Sequence, residues 1–160
     1  RRFRAAGIDA PTYVMSLLVL GVVMGLGAGA LVLGVGGAVY GIPAPDDPLR
    51  VAMWFAVGLW CTIAVGVALG ALLPSSRAAS AIGNLLFVPA FLLGGGGPPN
   101  QVMSGPMQTI AEVLPLSHVV GGIRLAWLGA TDDPHVLWWP ILVGAVASFV
   151  AVRSLHRRVA

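Results

Sequence analysis

Lysine is absent from the 160 residues, cysteine occurs once, and charged side chains make up only 9% of the chain. Each shortage excludes something. A nucleotide phosphate loop, G-x-x-x-x-G-K-[ST], needs its lysine to reach the terminal phosphates, so the chain has no such loop of its own. The single cysteine, Cys61, excludes an internal disulfide and leaves the redox compartment undetermined. Neither H-E-x-x-H nor the G-x-S-x-G elbow of serine hydrolases occurs. His118, His135 and His156 stand too far apart for a local ligand set, leaving only ligands gathered from distant segments. No basic patch with interleaved aromatics offers a nucleic-acid footprint, so no nucleic-acid partner is expected.

What is abundant is apolar. Hydrophobic residues reach 58%, against roughly 45–50% in soluble domains, where about 25% of residues are charged. Water is therefore not the chain's main solvent. The uncharged runs 12–45, 51–76 and 78–111 are too long for a signal-peptide core of about 7–15 residues. Crossing a ~30 Å hydrocarbon core takes roughly 20 helical residues, with each backbone amide bonded inside its own segment. The expectation is an all-α, polytopic transmembrane helical bundle with four spans, 13–40, 51–73, 79–97 and 136–152, plus a short helical hairpin at 107–128. The chain opens on Arg1 in a basic segment, "RRFRAAGIDAP", that reads as a loop between spans. An N-terminally incomplete protein is expected.

Arginine placement orients the spans, because cytoplasmic loops carry the excess of positive charge. If the four spans alternate, Arg1, Arg2, Arg4, Arg77, Arg153, Arg157 and Arg158 fall on one side, and only Arg50 and Arg124 on the other. The second side also receives Asp46, Asp47, Glu112, Asp132 and Asp133. Both ends of this stretch are expected in the cytoplasm.

Small residues recur every fourth position in the first span (Gly21, Gly25, Gly29) and the second (Gly58, Thr62, Gly66, Gly70). Such stripes let helix backbones approach closely, or arise by chance among 22 glycines. Pro89 lies mid-span and predicts a kink there. "GGGGPPN", residues 94–100, then breaks the helix, since glycine tolerates left-handed backbone and proline ends the ladder. Met107, Ile110, Ala111 and Leu114 share one face of a short amphipathic helix that Pro115 stops. Ser117 is placed to cap the next helix, "HVVGGIRLAWLG", which is too short to cross. Two short helices broken at Pro115 predict a re-entrant or interfacial hairpin, with Gly95 and Gly96 in a lid above it.

In order along the chain, "ALGALLPSSRAASAIGNLLFVPAFLLGG" and "LPLSHVVGGIRLAWLG" resemble the membrane subunit of ABC type-2 exporters. The resemblance spans essentially the whole chain and is strongest over 66–129. It departs from the family pattern at Gly94–Gly97 with Pro98, and at Gly121, where relatives often carry an acid. The resemblance implies two further spans upstream and a cytoplasmic coupling segment ending within residues 1–12. It also implies a separate ABC ATPase subunit that binds ATP and Mg, no cofactor held by this chain, and a second permease subunit. The complex would move drugs or other amphipathic, lipid-like compounds out across a bacterial plasma membrane. A membrane scaffold or assembly protein without transport is the competing reading.

Single residues follow. Arg1, Arg2, Arg4 and Arg77 are candidates for ATPase coupling, Arg77 alternatively for anionic lipid. Gly95, Gly96, Pro115, His118 and Arg124 are candidates for the outer gate or hairpin. Arg124 either pairs with an acid or anchors its helix at the headgroups. Asn84 either bonds a neighbouring helix or lines a pathway, the bond being favoured. Trp127, Trp138 and Trp139 suit interfacial belts.

Overall fold

The computed structural model describes residues 9–97, 102–130 and 137–159. Arg1, Arg2, Arg4, Pro98, Asp132, Asp133 and His135 lie outside the described residues. Within them the chain is helical, without strands. The elements are α1 (Ala10–Tyr40), α2 (Pro48–Leu72), α3 (Ser76–Phe91) with a wider turn over Leu92–Gly96, α4 (Gly105–Val113), α5 (Pro115–Trp127) and α6 (Trp138–Val159). Among the described residues four helices are long and apolar enough to cross a membrane: Ala10–Tyr40, Pro48–Leu72, Ser76–Gly96 and Trp138–Arg157.

Local chemistry sets the helix ends. A proline occupies the first turn of α1, α2, α4 and α5, where its missing N–H costs nothing. The Asp47 carboxylate accepts from the Arg50 N–H at 3.0 Å to cap α2, and the Ser75 hydroxyl accepts from Ala78 N–H at 3.2 Å to cap α3. Gly41, at φ 65°, closes α1 in the left-handed conformation that a side chain would resist.

At the centre stands α2, with α1, α5 and α6 packed around it. One core joins Val14 and Leu18 of α1, Ala64 and Ala68 of α2, and Ala147 and Ala151 of α6. Small side chains dominate it, as expected where close backbone approach, rather than escape from water, holds helices together. A second core, Val51, Trp54, Val119 and Ala126, joins α2 to α5.

Only one of the two small-residue stripes is an interface along its length. A Cβ on Gly21 would meet the Ile63 side chain at 2.6 Å, one on Gly25 would meet Leu59 at 2.6 Å, and one on Gly29 would meet Phe55 at 2.7 Å. Each α1 glycine is thus a hole for one α2 side chain, in antiparallel register. On α2, Gly58 receives Val119, but Gly66 and Gly70 face open space and Thr62 bonds back to the Gly58 carbonyl at 2.7 Å. The third span also differs from expectation. Helix α3 runs through Pro89, and the departure from helical backbone falls at Gly95, with φ 111°. The wider turn absorbs the perturbation downstream, where glycine makes positive φ inexpensive.

Candidate functional site

Helix α5 runs antiparallel to α2 and is tied to it along its length. At the Pro48 end, the Asp46 and Asp47 N–H groups donate to the Trp127 and Ala126 carbonyls, each at 3.2 Å. Arg50 adds a clasp, donating to the Ala130 carbonyl at 3.0 Å while pairing with Asp47 at 3.4 Å. Further along, the fully buried Trp54 indole lies against Gly122, so closely that no Cβ fits there, and Val119 meets Gly58. Pro115 and Leu116 arrive level with Cys61, Thr62 and Val65. From Pro48 to Cys61 is roughly 20 Å at 1.5 Å per residue, about half the length of α2. The hairpin therefore turns back into the bundle, with its break level with the middle of α2.

Backbone that leaves the helical ladder at that depth needs partners other than water. The structure supplies them from three side chains, beside the Leu114 and Ser117 N–H groups that donate to the Ala111 and Leu114 carbonyls. Ser117 donates its hydroxyl to the Ala111 carbonyl and, at 2.7 Å, to the Leu114 carbonyl. His118 Nε2 lies 2.8 Å from the Glu112 carbonyl, which makes it the protonated nitrogen of the ring. The Trp139 indole donates to the Val113 carbonyl at 2.9 Å. Four consecutive carbonyls at the end of α4 are thereby satisfied. Ser117 is consequently not the helix-start acceptor that the sequence suggests. Pro115, with its fixed φ, begins α5 two residues earlier and Leu114 takes the cap position, so the Ser117 hydroxyl points back to α4.

The wider turn of α3 meets α5 face to face. A Cβ on Gly94 would meet Leu116 at 2.9 Å, and one on Gly95 would meet Val120 at 2.5 Å. A Cβ on Gly96 would collide with the Phe91 ring. Beneath this contact is a cavity of about 290 Å³ lined by Gly58, Cys61, Thr62 and Val65 of α2, Leu86, Pro89, Ala90 and Leu93 of α3, and Ile110, Leu114, Pro115, Leu116 and Val119 of the hairpin. No charged group lines it. A second, larger cleft, about 830 Å³, opens between α1 and α2 beside Ile123 and Trp127, and its wall is likewise uncharged. Among the described residues no three His, Cys, Asp or Glu side chains gather as a metal set. Such surfaces offer dispersion contacts to an apolar guest and no acid–base chemistry.

Of the candidate residues, Gly95, Gly96, Pro115 and His118 come together around the hairpin break. Arg124 does not join them: it is exposed in the last turn of α5, without an acidic partner among the described residues, and its charge favours the helix C-terminus. Arg77 is exposed in the first turn of α3. Asn84 is exposed, and the bond to a neighbouring helix expected of it is not made within the described chain, because its face of α3 points away from α2. Trp54 and Trp139 went unrecognised as site-building residues, and so did the Arg50 clasp. Their partners are backbone groups and a glycine distant in sequence, for which no local pattern exists.

Comparison with known proteins gives one match: the family model described as ABC-2 type transporter covers residues 1–128. No curated protein and no solved structure matches the chain.

Proposed function

Because the chain belongs to the ABC-2 type transporter family, a family of multi-pass membrane components, we propose that it is the permease subunit of an ATP-driven exporter. The observation that supports this most directly is the mid-height hairpin above an uncharged cavity, in a chain with no lysine for a phosphate loop. In this reading a separate ABC ATPase binds ATP and Mg, and a second permease subunit completes the pathway. Arg1, Arg2, Arg4 and Arg77 lie on the cytoplasmic side of a bacterial plasma membrane, with both ends of the stretch, and touch the ATPase there. The cargo is apolar or amphipathic, of the drug or lipid-like class, since neither cavity wall carries a charge that would select an ionic solute.

The test is copurification of the full-length subunit from its native membrane. An ATPase with a phosphate loop should accompany it and, after reconstitution, hydrolyse ATP faster in the presence of exported compounds. Repeated purification without any such protein, with the subunit intact, would remove the reading in favour of a non-transporting scaffold.

A further inference from the structure

Helix α6 has two faces of opposite character. Pro140, Gly144, Ala147 and Ala151 are buried at helical spacing on the side that meets α1 and α2. Directly opposite, Leu142, Val146, Phe149, Arg153, His156 and Arg157 share a face and are all exposed. Along that face the chemistry changes once, apolar as far as Phe149 and basic from Arg153 on. From Leu142 to Arg153 is roughly 16 Å at 1.5 Å per residue, about the depth of one leaflet of a ~30 Å hydrocarbon core. The face thus has the profile of a phospholipid, a chain's length of apolar surface ending in charge.

The first of the arginines is already turned toward the apolar stretch. Its guanidinium lies over the Phe149 ring, 5.8 Å from the centroid, so Arg153 leans back along the helix rather than out into water. Arg157 follows one turn later, about 5–6 Å away between Cβ atoms. Two guanidiniums at that spacing offer paired N–H donors to the oxygens of a phosphodiester, and the His156 ring adds a nitrogen beside them. No acid lies on α6, and α1, whose cap residue is Asp9, packs on the opposite face. Neither arginine has an ion-pair partner among the described residues. A second copy in the same orientation is a poor occupant, because about a two-fold axis along the membrane normal each basic end would meet its own like charge.

We infer that this face of α6 holds an anionic phospholipid, its acyl chain along Leu142, Val146 and Phe149 and its phosphate between Arg153 and Arg157. It rests on the permease reading only for the leaflet, which is the cytoplasmic one.

Quenching by nitroxide-bearing lipids, in vesicles of the full-length subunit, tests it. A fluorophore at Val146→Cys, with Cys61→Ala as background, should be quenched more by phosphatidylglycerol than by phosphatidylcholine carrying the nitroxide at the same acyl position. The same fluorophore at the exposed Val23→Cys on α1 should meet the two lipids alike. Arg153→Gln with Arg157→Gln should lower the phosphatidylglycerol preference at Val146 about five- to thirtyfold, the worth of one to two basic residues at an anionic surface. Arg153→Lys with Arg157→Lys should retain most of it. Quenching by phosphatidylcholine, unchanged across the variants, shows that each is inserted. Equal quenching by the two lipids at Val146 would overturn the inference, as would a preference that survives the glutamines, or a fluorophore that neither lipid reaches because protein covers the face. The vesicles contain no ATPase. If an ATPase copurifies from the native membrane while the lipid preference fails, the exporter reading stands and this one falls; a lipid preference without any such ATPase does the reverse.

Discussion

Gly121 and Gly122 are neighbours on α5 with opposite surroundings. A side chain at Gly121 would meet nothing within 4 Å, whereas one at Gly122 would enter the space of the buried Trp54 indole. Backbone propensity favours alanine over glycine by about 1 kcal/mol in a helix interior, so Gly121→Ala should be neutral or stabilising. At Gly122 the same gain is outweighed, since overpacking a close contact costs roughly 1–3 kcal/mol and a ring held between two helices has little room to yield. Thermal unfolding in detergent should therefore separate the two: Gly122→Ala lowers the midpoint and Gly121→Ala does not. Equal shifts would mean that the Trp54 contact is not what fixes α5 to α2.

At the scale of the element, the Ser117, His118 and Trp139 side chains tie the last carbonyls of α4 to α5 and α6. The Ala111 and Leu114 carbonyls also accept from backbone N–H groups, so removing the Ser117 and His118 donors together takes away the ties rather than every partner, and should loosen the end of α4 before the bundle itself unfolds. Hydrogen exchange over residues 105–118 should accelerate in Ser117→Ala with His118→Leu, and less so in Ser117→Ala with His118→Gln, which keeps a donor. Unchanged exchange would show that these side-chain ties do not hold the end of α4.

The helices themselves are legible in sequence because a bilayer imposes both length and internal hydrogen bonding on whatever crosses it. Pro115 and the glycines after Leu93 likewise announce a break. What sequence does not display is which orphan group each side chain serves. Ser117 reads as an acceptor for its own helix until the start of α5 is seen at Pro115, and Trp139 reads as an interfacial aromatic until its indole is found on Val113. The stripes of α1 and α2 look equivalent as patterns, and differ only in whether a partner's side chain arrives at each glycine.

For the whole molecule, α1, α5 and α6 all lean on α2, while α3 is held mainly at the turn that meets α5. The glycine at φ 111° is the joint between the two parts. A β-branched residue there would be strained by about 1–3 kcal/mol and would also press on Val120. Gly95→Val should thus push α3 from α5, read as a longer distance between spin labels on the exposed Leu85 and Leu125. Labels on α1 and α2 should keep their separation. A change of equal size in both pairs would mean a general loss of packing rather than movement at a joint.

The antiparallel register of α1 and α2 has a consequence for how such a chain can vary. Gly21 answers Ile63, Gly25 answers Leu59 and Gly29 answers Phe55, each hole serving a single tooth. Bulk is therefore constrained by pair rather than by position: a larger residue at one member should be tolerated when its opposite number shrinks, so that hole and tooth can change places one rung at a time.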